Sequence, residues 1–539
     1  MTISDVVGRL WARCKRRFRA HWAELTRKFN YRSEFFFGMD YLMAIGGLRF
    51  EPKIGASPIW WKLYRLSMPL IAVLMTWKLA RNVAQEKSLD RVLNSLQLAI
   101  GTIVILMRGV LVVRCYDALS RVREYTNRRD FGKDLECSLR IRADAFYTVR
   151  RLVVILASGQ FFGTIALATQ NMADHDTFGL PFDLRNTSVL LQTVLQKLYS
   201  LSFLGITYTS LVGNMAVYMV LKGLLTELTI VAKCFEGIMD RTNQRVAVKM
   251  DGIAGNSEHL RLTEREYYWT CLSEEFQKCI QLHQKLLNCL NVAKPWLNAT
   301  LLTVYYSTML NITCGIVYLL STESSQMGIY SIQIFYYIGM LIFECYVLSY
   351  LVSKLTEVKK SIGLTVYSLP WPADFVFEPR FAAQYRSAVA TILVILATSQ
   401  QPLRLNCFGF FEFTLEQFAE LANQTYSLVT FFRNFPGIPC PSKSYLLMQA
   451  CTKPNGPSTT TTDFALVISR TLISQQLLAN RNTSYLLAGL SSISSSPQVS
   501  ISEIFLLPLE KTTALQHNKA EQIRSRREIF RGSSQCEKS

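Results

Sequence analysis

The sequence predicts an all-α membrane protein: a seven-transmembrane helical bundle with its N-terminus inside, a cytoplasmic helical anchor platform and a disordered C-terminal tail. Three observations carry that expectation. Seven apolar stretches of the 539-residue chain are long enough to cross a bilayer, because a hydrocarbon core about 30 Å thick takes roughly 20 residues of helix. Lys and Arg concentrate in alternate connections between those stretches. The chain beyond residue 436 changes composition and loses its long apolar runs.

The spans fall at 64–80, 92–113, 152–169, 198–221, 297–320, 329–352 and 413–432. Residues 1–63 carry twelve Lys/Arg, from Arg9 to Lys62. Ten follow the second span, including Arg128, Arg129, Arg150 and Arg151, and ten follow the fourth, from Lys222 to Lys294. Six follow the sixth span: Lys354, Lys359, Lys360, Arg380, Arg386 and Arg404. The opposite connections are poorer. Arg81, Lys87 and Arg91 sit with Glu86 and Asp90; Arg185 and Lys197 sit with Asp174, Asp176 and Asp183; the short fifth-to-sixth connection has only Glu323. Basic connections stay in the cytoplasm, so the N-terminus is expected inside and the C-terminus outside. Residues 9–19 are basic, but 31–50 are mixed rather than cleanly apolar. No cleavable signal is expected, and the first span serves as its own insertion signal.

A formal net charge of +19 is read as cytoplasmic flanks meeting anionic membrane lipid. No nucleic-acid partner is expected, because no basic stretch carries a recognition motif. The thirteen cysteines form no C-x-x-C and no zinc spacing, which points to reduced, buried thiols and no metal. His21, His175, His259, His283 and His517 are scattered outside the spans. No H-E-x-x-H or paired catalytic aspartates appear, so neither an enzyme nor a cofactor is expected. Of the N-x-[ST] sequons, Asn186 lies in the long outer connection and is the glycosylation candidate. Asn298, Asn311 and Asn423 fall in or beside spans and are expected to be silent.

Residues 222–296 have helical apolar spacing on both sides of a polar, Gly-containing stretch, Arg245–Arg261, expected to be a mobile loop between packed helices. Residues 379–402 form another apolar helix, ended by Pro402 and too short to span with its basic flank; it is placed on the cytoplasmic side. The last span is chemically odd. Glu416, Glu420 and Gln424 recur every four residues and share a helix face. A carboxylate facing lipid costs several kcal/mol, so this stripe faces protein or water. Internal hydrogen bonding and a wet pathway are both consistent with it. Residues 437–539 hold the run Ser458–Thr462, a serine-rich stretch at 491–496 and a basic end, the composition of a disordered tail.

From Tyr367 to Ser427 the motifs form an ordered set. They read Tyr367-Ser-Leu-Pro-Trp371, then Ser399-Gln-Gln-Pro-Leu403, then Phe411 and Phe413, then Leu415-Glu416-x-Phe418, then Tyr426-Ser427. This resembles the C-terminal pattern of insect odorant receptors, and the span count and inside N-terminus extend the resemblance over residues 1–436. The resemblance implies an odorant-gated, non-selective cation channel subunit in the plasma membrane of olfactory sensory neurons. It implies a heterotetramer with an odorant co-receptor subunit, and small volatile odorants as ligands. It places an apolar gate on the outer part of the last helix, for which Thr425, Val429 and Phe432 are candidates. That face lies largely opposite the Glu416/Glu420/Gln424 stripe. It also implies an odorant pocket in the outer halves of spans two, three, four and six, with Phe161, Phe162, Phe203, Tyr208, Tyr336 and Met340 as candidates. The family ends near Phe435, so residues 437–539 are expected to be an extension of the gene model or a disordered tail. A gustatory-type channel and a G-protein-coupled receptor are the alternatives; the second would place its N-terminus outside. A transporter would show repeats or Gly/Pro-broken helices, and neither is visible.

Overall fold

The computed structural model describes residues 28–48, 59–85, 89–129, 131–133, 136–169, 179–180, 188–251, 253, 257–321, 329–370, 375 and 377–433. Those residues are helices and their connections: α1 (Met39–Ile45), α2 (Ile59–Gln85), α3 (Leu89–Arg114), α4 (Tyr116–Arg128), α5 (Glu136–Thr169), α6 (Val189–Glu236), α7 (Ile238–Met250), α8 (Ser257–Ser321), α9 (Ile329–Tyr367), α10 (Ala382–Gln400) and α11 (Leu415–Arg433). Six of the expected spans lie within α2, α3, α5, α6, α8 and α9; the seventh, expected over 413–432, is helical from Leu415, as α11. The expected tail at 437–539 and the glycosylation candidate Asn186 lie outside the described residues.

Helix α6 is the axis of the bundle. It packs against α1, α3, α5, α8 and α9. Met215 through Leu221 are all buried, with no polar face among them, as expected of a helix enclosed on every side. Its start is capped by Ser188, whose side chain accepts from the Leu191 amide, satisfying one of the orphan donors of the first turn. The short helix α1 lies against it, with Met39, Leu42 and Met43 buried, and Thr209 Oγ1 donates to the Gly46 carbonyl at 2.8 Å. Surrounding helices expose apolar side chains outward: Leu66, Leu70 and Val73 on α2, Ile155 and Phe162 on α5, Phe335 on α9. Such a belt would be unstable in water and is at home in lipid.

Away from the span layer, at the basic pole of the bundle, the long helices continue into a packed platform. Helix α7 lies on α8. Arg241 Nε donates to Glu275 at 2.9 Å, and Arg245 pairs with both Glu274 and Glu275. The loop expected over 245–261 is therefore not a loop at either end, and residues 257–261 belong to α8. Residues 245–250 belong to α7, with Val246 buried, because those ion pairs hold them down. A buried pair, Arg142 with Glu227 at 2.6 Å, joins α5 to the lower part of α6.

Among the described residues, five helices could cross a membrane by length and composition: α3, α6, α8, α9 and the segment Pro379–Gln400 that contains α10. From sequence that last segment is expected on the cytoplasmic side, leading into the last span; in the structure it lies against α8 and α9. Tyr385 near the start of α10 packs on Trp269 of α8. At ~1.5 Å of rise per residue, Trp269 lies about 40 Å along α8 from Leu297, where the span begins. At the other end of α10, Ser399 meets Gly363, and Lys359 donates to the Gln401 carbonyl. Gly363 is itself about 16 Å along α9 beyond Val352. Helix α10 thus runs alongside the parts of α8 and α9 that extend past the span layer.

Candidate functional site

Within the span layer, α3, α5, α6, α8 and α9 enclose a cavity of about 90 Å³. Its walls are largely apolar, with Val104, Ile105, Leu152, Met215, Met340 and Phe343 among them. One side is polar. Arg108 of α3, only 3% exposed, points its guanidinium at Glu344 of α9, and Nη1 donates to Oε1 at 2.8 Å. The same Nη1 donates to Asn214 Oδ1, and Asn214 Nδ2 donates to Glu344 Oε2 at 3.0 Å. Nη2 reaches Ser307 Oγ of α8 at 3.5 Å. Four helices are thereby tied together by one intramembrane charge cluster. Isolated, either charge would be costly in this environment; paired and hydrogen-bonded, both are tolerated, and such groups mark functional sites. The arrangement offers a small apolar chamber with a rigid polar anchor, the pattern of a small-molecule site.

Arg108 and Glu344 were not among the candidates read from the sequence. The signal was present: each is the only charged residue in its span, 92–113 and 329–352. Of the six pocket candidates, Met340 lines the cavity. Phe203 is buried elsewhere, packed with Ala72, Met75 and Leu79 of α2 and with the Tyr199 ring 5.2 Å away. Tyr208 is buried and donates to the Ala157 carbonyl at 3.0 Å. Phe161, Phe162 and Tyr336 are on the outer surface of the bundle.

Helix α11 packs on α8 and α9. Thr425 is buried, its hydroxyl donating to the Leu421 carbonyl at 2.7 Å. Val429 and Phe432 lean on Leu93 of α3 and on Cys314 and Val317 of α8. The gate candidates therefore occupy the face of α11 turned toward their own subunit. Gln424 accepts from the Tyr305 hydroxyl at 3.3 Å and donates to Glu420 at 3.3 Å, so part of the polar stripe bonds within the subunit. Glu416, Tyr426, Ser427 and Phe431 are exposed on α11. Among the described residues no group of three metal-ligating side chains converges.

The fold and cavity together define a polytopic helical membrane protein with an internal cavity among its spans. The sequence model of the 7tm Odorant receptor family matches residues 88–426, and the chain belongs to that family. It is 25% identical over 162 residues to the odorant receptor Or2 of Anopheles gambiae, an alignment covering 30% of this chain and 39% of that relative's length. The structure of the insect olfactory receptor OR5 from Machilis hrabei in complex with eugenol superposes with a TM-score of 0.54 at 12% identity, covering 75% of this chain and 98% of that one. A second structure of the same receptor gives 0.54 at 11% identity, covering 74% and 96%.

Proposed function

We propose that this chain is the odorant-binding subunit of an odorant-gated, non-selective cation channel. It would work in the plasma membrane of olfactory sensory neurons, assembled with a co-receptor subunit. The observation that carries this reading is the chamber among α3, α5, α6, α8 and α9, sealed on one side by the Arg108–Glu344–Asn214 cluster in a chain of odorant-receptor family. A volatile molecule entering it touches helices that also carry α11, since α11 packs on α8 and α9. An odorant opens the channel only to the extent that it binds the open arrangement better than the closed one. Displacement of α8 and α9 around the ligand is the step that would move α11.

Helix α11 then borders the ion path. The segment from Thr425 to Phe432 is proposed to hold the gate, with Val429 and Phe432 seated against α3 and α8. Ser427 and Phe431 are exposed on the other side of α11, where they would meet ions or neighbouring subunits. Asn186, on the acidic outer connection, would carry a glycan.

The test is expression of this chain alone, a co-receptor alone, and the two together, with current recorded against a panel of volatile compounds. Odour-evoked cation current in the pair, absent from either subunit alone, is the expected result. No current in the pair at confirmed surface expression would overturn the proposal.

A further inference from the structure

Two buried side-chain atoms of residues that line the chamber have no hydrogen-bond partner among the described residues: Arg108 Nε and Asn311 Oδ1. Both residues line the same cavity. Both are almost wholly enclosed, Arg108 at 3% and Asn311 at 1% exposure. Unmade hydrogen bonds at such depth are costly, so the chamber has a built-in demand for one acceptor and one donor.

Neither group is free to turn and satisfy itself elsewhere. The guanidinium is fixed through Nη1 to Glu344 and Asn214 and through Nη2 to Ser307. The Asn311 amide is fixed through Nδ2, which donates to the Ser307 carbonyl at 2.7 Å. That carbonyl can only accept, so the nitrogen faces it and Oδ1 is turned away from it. On α3 the facing position is Gly101, where a Cβ would sit 3.6 Å from Asn311 Oδ1 and 3.3 Å from the Tyr337 hydroxyl. Glycine there keeps the space in front of Oδ1 open.

Arg108 Nε–H donates only and Asn311 Oδ1 accepts only. A hydroxyl carries both functions in one group: its oxygen accepts, as Nε requires, and its hydrogen is donated, as Oδ1 requires. An ether or carbonyl oxygen answers Arg108 alone, and a hydrocarbon answers neither. We propose that Arg108 Nε and Asn311 Oδ1 form a donor–acceptor pair selecting small alcohols and phenols over ethers, ketones and hydrocarbons of the same shape. This rests on the reading of the chamber as the odorant site. A ligand group that reproduces the hydrogen bonds of the solvent it displaces keeps affinity, and one that cannot loses it. The chamber is small, about 90 Å³, so one-ring molecules are the matching probes.

The experiment is a dose–response comparison on the full chain expressed with its co-receptor. Phenol, anisole and toluene form one series; cyclohexanol, cyclohexanone and methylcyclohexane form the other. The hydroxyl member of each series should act at about tenfold lower concentration than the hydrocarbon, equivalent to ~1.4 kcal/mol, with the acceptor-only member between them. Asn311→Leu removes the acceptor at similar volume and should bring hydroxyl and hydrocarbon within about twofold of each other. Its hydrocarbon response and surface expression establish that it has folded; should it fail to reach the surface, Asn311→Ser is measured in its place and should restore part of the preference. Equal potency across a series, an unaltered hydroxyl preference in the Asn311 variant that reaches the surface, or silence to every alcohol at confirmed surface expression would overturn the assignment. Met340→Trp fills the chamber and separates the two readings. If the wild-type hydroxyl preference persists unchanged in Met340→Trp, the chamber is not the odorant site and the underlying reading fails. If Met340→Trp silences every probe while the preference survives in the Asn311 variants, only the hydroxyl assignment fails.

Discussion

Glu344 and Asn214 share the task of holding Arg108, and that sharing sets what each replacement does. Glu344→Ala leaves a buried guanidinium without its carboxylate, which typically costs ~3–5 kcal/mol. Surface expression and thermal stability of the detergent-solubilised protein should both fall sharply. Replacing Arg108 and Glu344 together by Met and Leu removes both charges and should recover most of that loss, while abolishing hydroxyl selectivity. A double replacement as unstable as Glu344→Ala would show that the cost is not one of unpaired charge. Thiol reactivity gives a second test at this scale. The nine described cysteines are all free, and Cys137 is exposed. Burial pushes the Cys407 thiol up to about 12, so it stays protonated at neutral pH and reacts slowly. Maleimide labelling should modify Cys137 well before Cys407; equal rates would place Cys407 wrongly.

The contact between α9 and α10 depends on a residue without a side chain. A Cβ at Gly363 would overlap the Ser399 hydroxyl, and Ser399 is fully buried. Gly363→Leu should therefore push α10 off α9 and reduce assembly with the co-receptor, read by co-purification; undiminished assembly would mean α10 is not part of the platform. On α11, Ser427→Asp and Phe431→Asp act on the uncovered face and should change conductance or resting leak with normal expression. Val429→Asp puts a charge against Leu93, Cys314 and Val317 and should chiefly lower expression. Existence and order of these helices were legible from apolar length alone. The end of the loop at Arg245 was not, because its helical state depends on Glu274 and Glu275, about thirty positions away in sequence. Nor was the direction of Phe161, Phe162 and Tyr336. Lipid is as apolar as the bundle interior, so hydrophobicity identifies a span without saying which face looks inward. Charge does say so, which is why the lone Arg108 and lone Glu344 were the readable markers of the site.

At the scale of the molecule, the charge pattern predicts threading: the basic N-terminal end and the basic connections inside, the acidic Asn186 connection outside. An epitope at the N-terminus should be reachable only after permeabilisation, and an enzyme that removes N-linked glycans should shift the wild type but not Asn186→Gln. An N-terminal epitope exposed on intact cells would reverse the orientation and favour a G-protein-coupled receptor. The platform of α7, α8, α9 and α10 and the chamber in the span layer are joined by continuous helices. Helix α8 alone runs from Ser257 to Ser321, so movement around a bound ligand has a rigid route to both the platform and α11.

The central claim is that the ligand chamber and the ion path belong to one assembly, with no soluble messenger between them. The most direct measurement is an outside-out membrane patch from cells expressing the pair, with no guanine nucleotide in the pipette and odorant applied to the outer face. The expected result is a prompt cation current that reverses near zero with sodium outside and potassium inside, and that disappears in Met340→Trp. A current that is lost on excision and returns only with guanine nucleotide would contradict it.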